Sequence, residues 1–253
     1  MNQYNDIINE MASLSFFAGE EIMKFYPNKI VSEKKDDFSP VTEADRASDK
    51  LICDRLEKKF PEILCISEES YKSKNLTKIN DIFFLIDPLD GTKEFIEKND
   101  EFTVNIALID HNRPVLGVVN VPALGITYWA EKGAGAYKNG KRIYNKSNRK
   151  NPIGADSLFH STKKTKDFFK NNSIEKVIRY GSSIKLCKLA EGEIDIYPRL
   201  NGTKEWDTAA PEIILVEAGC LLVSYPDRKF LVYNKLKIAN PFFVASRKGL
   251  SWQ

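Results

Sequence analysis

Apolar side chains at Ile7, Ile8, Met11, Leu14, Ala18, Ile22 and Phe25 recur near a helical period, and Pro27 ends the pattern. This spacing predicts an amphipathic helix over roughly residues 5 to 26. Ile30 to Lys35 suits a short strand, Asp36 to Pro40 a turn, and Thr42 to Phe60 a second helix. Two short apolar runs, Ile63 to Ile66 and Ile82 to Ile86, are rich in β-branched and aromatic residues and predict buried strands on either side of the polar stretch Tyr71 to Asn80. Phe102 to Ile109 and Pro114 to Val121 flank His111-Asn112-Arg113 as a hairpin would, and Asn139-Gly140 marks another tight turn.

The later half of the chain predicts a helix near Lys163 to Lys170, a strand near Val177 to Tyr180, a helix near Ser182 to Glu191 and a strand over Ile194 to Tyr197. Asp207 to Ala218 is strongly helical, and Pro211, tolerated only in a first turn, predicts a start near Thr208 with Asp207 as its cap. This mixture predicts layered α/β or α+β packing. We expect one compact unit over residues 1–253, with an N-terminal α+β lobe (1–147) and a C-terminal α/β lobe (148–253) joined through the lysine-rich stretch Lys141 to Lys150.

Composition narrows the chemistry. A chain of 253 residues with 42% hydrophobic content buries a substantial core. Its 38 Lys and Arg against 35 Asp and Glu leave a net charge of +3, too small to imply nucleic-acid binding. The first residues carry Asp6 and Glu10 and do not read as a signal peptide, so a cytoplasmic protein is expected. No apolar run approaches the ~20 residues that span a bilayer, so no transmembrane segment is expected. Cys53, Cys65, Cys187 and Cys220 are widely spaced and read as buried free thiols. With only two histidines, His111 and His160, any metal should be held by oxygen, which favours Mg²⁺, Mn²⁺ or Ca²⁺.

The sharpest local feature is Phe83-Phe84-Leu85-Ile86-Asp87-Pro88-Leu89-Asp90-Gly91-Thr92, an apolar strand running into two carboxylates, a glycine and a hydroxyl. Carboxylates at a strand end converge readily on a hard cation, and glycine lets backbone approach a ligand. N–H groups around Thr92 would suit phosphate oxygens. Taken alone, the motif also fits a strand-to-turn junction in which both aspartates cap a turn. Glu68-Glu69 also follow an apolar run, Asp207 stands at a helix start, and Asp45 begins the second helix in Pro40-Val41-Thr42-Glu43-Ala44-Asp45. Each would by default be a surface charge or a cap. Together they deliver carboxylates from several element ends.

These residues also carry a resemblance. Pro40 to Asp45, Ser67-Glu68-Glu69-Ser70, Asp87 to Phe95 and Trp206-Asp207-Thr208-Ala209-Ala210-Pro211 occur in the order found in the inositol monophosphatase superfamily. Within it, Gly91 to Phe95, Glu101 to Ile109 and Gly181-Ser182-Ser183-Ile184-Lys185 look like the CysQ-type 3′(2′),5′-bisphosphate nucleotidases. The resemblance implies an αβαβα sandwich of the inositol monophosphatase/sugar phosphatase type. It implies two or three Mg²⁺ ions held by Glu68, Asp87, Asp90, Asp207 and the Leu89 carbonyl, and inhibition by Li⁺. It implies direct attack of a metal-activated water, with Thr92, Asp45 and Glu68 catalytic. The substrate would be a small phosphorylated nucleotide, adenosine 3′,5′-bisphosphate, meeting Glu68, Leu89, Asp90, Gly91, Thr92, Gly181, Ser182, Ser183, Lys185 and Asp207. Lys185, Arg199 and Lys204 are candidates for its second phosphate. The resemblance leaves room for a homodimer and for a peripheral position at the inner face of the membrane. Glu97 and Cys220 depart from the family's usual residues, which bears on the site's rim and on packing.

Three other readings stand beside this one. An inositol monophosphatase or a sugar-bisphosphate phosphatase would share the metal site. A haloacid dehalogenase-like phosphatase uses Asp-x-Asp-Gly-Thr, whereas Asp87 and Asp90 have two residues between them. A phosphate-ligand binding protein or inactive scaffold would have no reason to crowd carboxylates, which repel unless cations neutralise them.

Overall fold

The computed structural model of the chain describes residues 4–27, 30–34, 40–71, 80–235 and 237–253. The turn expected over Asp36 to Ser39, and residues 72–79 of the polar stretch, lie outside the described residues. Helix α1 spans Asn5–Phe25 and buries Ile8, Met11, Leu14, Ala18 and Ile22, the stripe expected from the periodicity. Strands β1 (Ser32–Lys34) and β2 (Pro40–Thr42) pair antiparallel, and α2 (Glu43–Lys59) follows.

A seven-stranded sheet takes β3 (Leu64–Ser67), β4 (Ile82–Asp90), β5 (Thr103–Asp110), β6 (Arg113–Val121), β7 (Ile126–Glu131), β8 (Gly135–Lys138) and β9 (Lys141–Ile143) in chain order. A short helix, α3 (Thr92–Ile96), leaves the end of β4. β3 and β4 are parallel, and the rest is an antiparallel meander. The two turns read from sequence are present: His111 and Asn112 have φ of 47° and 67°, and Asn139 and Gly140 have φ of 47° and 74°. β7 and β8 were not expected, and Lys141–Ile143 is an edge strand rather than part of a joining stretch. β7 carries the apolar run Ile126-Thr127-Tyr128-Trp129-Ala130, which the sequence reading passed over, while β8 and β9 are short and only partly buried.

The second sheet contains β10 (Ile153–Ser157), β11 (Lys176–Tyr180), β12 (Ile196–Arg199), β13 (Cys220–Ser224) and β14 (Phe243–Arg247), in the order β11-β10-β12-β14-β13. β10 runs parallel to β11 and β12, and β14 runs antiparallel to β12 and β13. Helices α4 (Lys163–Asn171), α5 (Ile184–Ala190) and α6 (Trp206–Glu217) complete the chain. α6 starts before the expected Thr208, so Pro211 lies inside the helix and Asp207 is not its cap.

Alternation along the strands builds the layers. In β4, Phe84 and Ile86 face the core with α1 and α2, while Phe83 and Leu85 face the core with α5 and α6. In β14, Phe243 and Ala245 face that same middle layer, while Val244 faces α4 and Trp252. The order is therefore α1/α2, first sheet, α5/α6, second sheet, α4, an αβαβα sandwich. Each fully buried Phe or Leu contributes roughly 1.5–3 kcal/mol. Gly117 sets how closely α6 lies on the first sheet, since a Cβ there would stand 2.4 Å from both the Ala210 carbonyl oxygen and Ile213 Cγ2. Among the described residues, no helix is long and apolar enough to cross a membrane.

Candidate active site

The sequence placed the end of the buried strand at Ile86, but β4 continues through Asp90 with an irregularity in its pairing. Asp87 pairs with Asn105 and Asp90 with Thr103, so β4 spends one more residue than β5 between these points. Side chains three apart in a regular strand face opposite ways, and the extra residue brings both aspartates to the face that carries α5 and α6. Pro88 suits this bulge because it has no N–H to lose from the ladder. The Ser48 hydroxyl donates to the Pro88 carbonyl at 2.8 Å and ties the bulge to α2. Gly91 follows with φ 91°, a left-handed conformation that favours glycine, and a Cβ there would lie 3.1 Å from Ser182 Cβ.

Asp45, 2% exposed, serves two partners with its two oxygens. Oδ2 accepts from the Thr42 backbone N–H at 2.8 Å and the Thr42 hydroxyl at 2.6 Å, part of the capping box of α2. Oδ1 accepts from the Thr92 hydroxyl at 3.0 Å. With the Thr92 proton directed at Asp45, the oxygen keeps lone pairs for a ligand. The default helix-terminus role and the bond to Thr92 thus coexist in one side chain.

Glu68, Asp87, Leu89, Asp90, Gly91, Thr92 and Asp207 line one cavity of about 550 Å³, the size of a small-molecule site. Glu68 arrives just past β3, its N–H donating to the Ile86 carbonyl at 3.1 Å. Asp207, in the first turn of α6, accepts from the Lys204 N–H at 2.8 Å. Its carboxyl is pushed up to about 8 by burial and by the Asp90 and Glu68 carboxylates. Asp90 is fixed from the other side, because its Oδ2 accepts from the Ser183 N–H, from Thr103 Oγ1 at 3.3 Å and from Asn105 Nδ2 at 3.4 Å.

The segment 181–185 divides into two roles. Ser182, Ser183 and Lys185 line the cavity, while Gly181 does not. The Gly181 N–H donates to Glu101 Oε2 at 2.6 Å, and a Cβ on Gly181 would stand 2.4 Å from Glu94 Cγ. Ser183 donates to Asn105 Oδ1 at 2.9 Å and braces Asp90. The Lys185 ammonium, 4% exposed, donates to the carbonyls of Tyr180, Gly181 and Ser182. Burial and the nearby Arg199 push it down to about 8, against the opposing effect of Asp90, Glu94 and Glu101. It therefore locks the turn before α5 as well as facing the cavity.

Arg199 and Lys204, candidates from sequence, line the same cavity, as do Lys93, Glu94 and His160, which sequence reasoning passed over. His160 is pushed down to about 4 by burial and by Arg199, Lys93 and Lys185. It is thus a neutral imidazole on a cationic wall. Its sequence context, a lone histidine between a short strand and a lysine-rich helix, carried no signal for this place.

The donor set suits a hard divalent cation: four carboxylates and a carbonyl, with no sulfur and no imidazole among them. Among the described residues, no three His, Cys, Asp or Glu side chains converge on one ion-sized position. Mg²⁺ does not require it, because it keeps several waters and takes one or two carboxylates. Burial and then the Asp90 and Glu68 carboxylates raise the Asp207 carboxyl, the direction that a cation's charge among them would offset.

The sequence pattern of the inositol monophosphatase family matches residues 4–250, and the chain belongs to this family, one of metal-dependent phosphatases with Mg²⁺ as the typical ion. It is similar to the 3′(2′),5′-bisphosphate nucleotidases CysQ of Shigella flexneri, 35% identical over 247 residues covering 95% of this chain and 99% of the relative, and of Escherichia coli, 36% identical over 248 residues with the same coverage. Among solved structures, CysQ from Bacteroides thetaiotaomicron superposes with a TM-score of 0.80 at 34% identity, covering 96% of this chain and 98% of the other. An IMPase from Thermotoga maritima gives 0.81 at 27% identity, with 95% and 92% covered.

Proposed function

We propose that this chain is a Mg²⁺-dependent phosphomonoesterase that converts adenosine 3′,5′-bisphosphate to AMP and phosphate. The observation that carries the reading is the shared face of Asp87 and Asp90 in a cavity that Glu68 and Asp207 also line. Glu68, Asp87, Asp90, Asp207 and the Leu89 carbonyl would hold two or three Mg²⁺ ions. When bound, such ions neutralise charge on the phosphoryl group and make a water acidic enough to deprotonate near neutral pH.

The chain's own residues supply direction. Thr92, its proton held by Asp45, accepts a hydrogen bond from the attacking water and aims its lone pair at phosphorus. Glu68 lies on the same cavity and takes the proton. N–H groups of Gly91 and Thr92, at the first turn of α3, hold phosphate oxygens. Ser182 and Ser183 flank the cation-binding wall, and Lys93, Lys185, Arg199 and Lys204, with the neutral His160 imidazole among them, give the cavity a cationic side suited to the second phosphate. The similarity to CysQ proteins supports the nucleotide as substrate.

Competition between pure substrates tests the choice. Adenosine 3′,5′-bisphosphate should be turned over with the highest kcat/KM, ahead of inositol 1-phosphate and fructose 1,6-bisphosphate. Preference for either of the latter would reject the nucleotide reading while leaving the metal site intact.

A further inference from the structure

Behind Asp207, α6 carries buried polar groups that the reaction does not use. Pro211 stands four residues after Asp207 and has no N–H, so the Asp207 carbonyl loses its ordinary helical donor. Two irregular segments, residues 231–235 and 237–240, lie against this first turn and are tied to it. Glu212, fully buried, accepts from the Arg113 guanidinium and from the Tyr233 hydroxyl. The Tyr233 oxygen also lies 3.2 Å from Thr208 Oγ1. Asn240, which lines the cavity, donates to the same Thr208 oxygen at 2.9 Å. Thr208, next to Asp207 in the chain, is where side chains from the two segments meet.

We propose that Tyr233 and Thr208 are positioning residues that hold Asp207 at its place on the cavity wall for a divalent cation. This deepens, and rests on, the reading of Asp207 as a metal ligand. The phenol ring alone would fill its buried space, and the Arg113–Glu212 pair has its own partner. The hydroxyl adds the bond that joins Glu212 to the turn carrying Asp207. Removing it leaves a Glu212 oxygen short of a donor and takes one partner from Thr208 Oγ1, which keeps Asn240 and the Glu205 carbonyl. Hydrogen bonds that orient metal ligands are commonly worth 10–100-fold in metal affinity.

The test is calorimetric titration with Mg²⁺ alone, without nucleotide, on the full-length wild type and on Tyr233→Phe, Thr208→Val and Thr208→Ser. Tyr233→Phe and Thr208→Val should weaken Mg²⁺ binding about tenfold, while Thr208→Ser, which keeps the hydroxyl, stays within about twofold of wild type. In assays, Tyr233→Phe should need correspondingly more Mg²⁺ for half-maximal rate, with KM for the nucleotide unchanged. If Tyr233→Phe and Thr208→Val lower the melting temperature yet bind Mg²⁺ as tightly as wild type, the network is structural only and the proposal is wrong. A wild type that takes up no Mg²⁺ would overturn the proposal together with the metal reading, and that outcome appears in the wild-type arm alone.

Discussion

Asp87 and Asp90 share one face of the first sheet although they stand three positions apart, because Asp87 pairs with Asn105 and Asp90 with Thr103, only two positions away on β5. Without the bulge between them, one of the two carboxylates would point to the α1/α2 core. The bulge therefore does what a loop does in many enzymes, but on a strand buried on both sides, where the backbone is held most firmly.

Asp90→Asn should separate function from stability. The substitution keeps the shape but removes one of the charges that burden Asp207. Phosphatase activity should fall by at least about a hundredfold, a loss comparable to removing one transition-state contact. In the presence of EDTA the variant should melt higher than wild type, and added Mg²⁺ should raise its melting temperature less. Full activity in a folded Asp90→Asn protein would refute its role.

Thr92 and Asp45 should behave as a unit. Thr92→Val and Asp45→Asn each remove the 3.0 Å bond that orients the threonine hydroxyl, so each should lower kcat by about 10²–10⁴-fold with little change in KM. The double variant should be scarcely worse than the poorer single one. Additive losses would mean that the two act independently. Asp45→Asn should also lose stability, because the same carboxylate caps α2.

The metal-free protein should grow less stable as pH rises. Asp207 is raised from 3.8 in the unfolded chain to about 8 in the fold. A carboxyl shifted upward favours the folded state while it is protonated, so its contribution is complete below pH 3.8 and is lost as pH rises through about 8. Melting temperatures in EDTA should therefore fall between pH 5 and pH 8.5, apart from any general effect seen in Asp207→Asn, and Mg²⁺ should remove the decline. A decline of equal size in Asp207→Asn would point to other groups.

His160 should titrate far below an ordinary histidine. Its value of about 4 means that the fold keeps it neutral, so stability is complete above 6.5 and is lost as pH falls toward 4. Imidazole NMR can follow it directly, because His111 is the other histidine of the chain. Saturation with a non-hydrolysed bisphosphate analogue should raise the His160 value as the anion offsets Arg199 and Lys93. No change on binding would place the second phosphate elsewhere.

Much of the fold was legible where burial writes a period into the chain, as in α1 with its stripe from Ile8 to Ile22 and in β4 with its apolar run. β8 and β9 were not, because they are short and only partly buried, and β7 was passed over although Ile126 to Ala130 has a strand's composition. Pro211 misled the placement of α6, since a proline rule for isolated helices takes no account of the segments 231–235 and 237–240 and the Gly117 contact that hold this helix down. The carboxylates were legible as residues, but their place on one cavity wall was not: neither the bulge after Asp87 nor the bond from Ser183 to Asp90 leaves a mark in a single sequence. Gly181 was read as a ligand contact, while the structure leaves it off the cavity wall with its N–H on Glu101; Lys185 lines the cavity and its ammonium also bonds carbonyls within the protein.

The most direct measurement is release of inorganic phosphate from adenosine 3′,5′-bisphosphate by the purified protein, with Mg²⁺ added or removed by EDTA. The cluster of Glu68, Asp87, Asp90 and Asp207 predicts multiple turnover that depends on Mg²⁺ and yields AMP with one phosphate. Turnover that persists in EDTA, or none with Mg²⁺ while the folded protein remains intact, would contradict it.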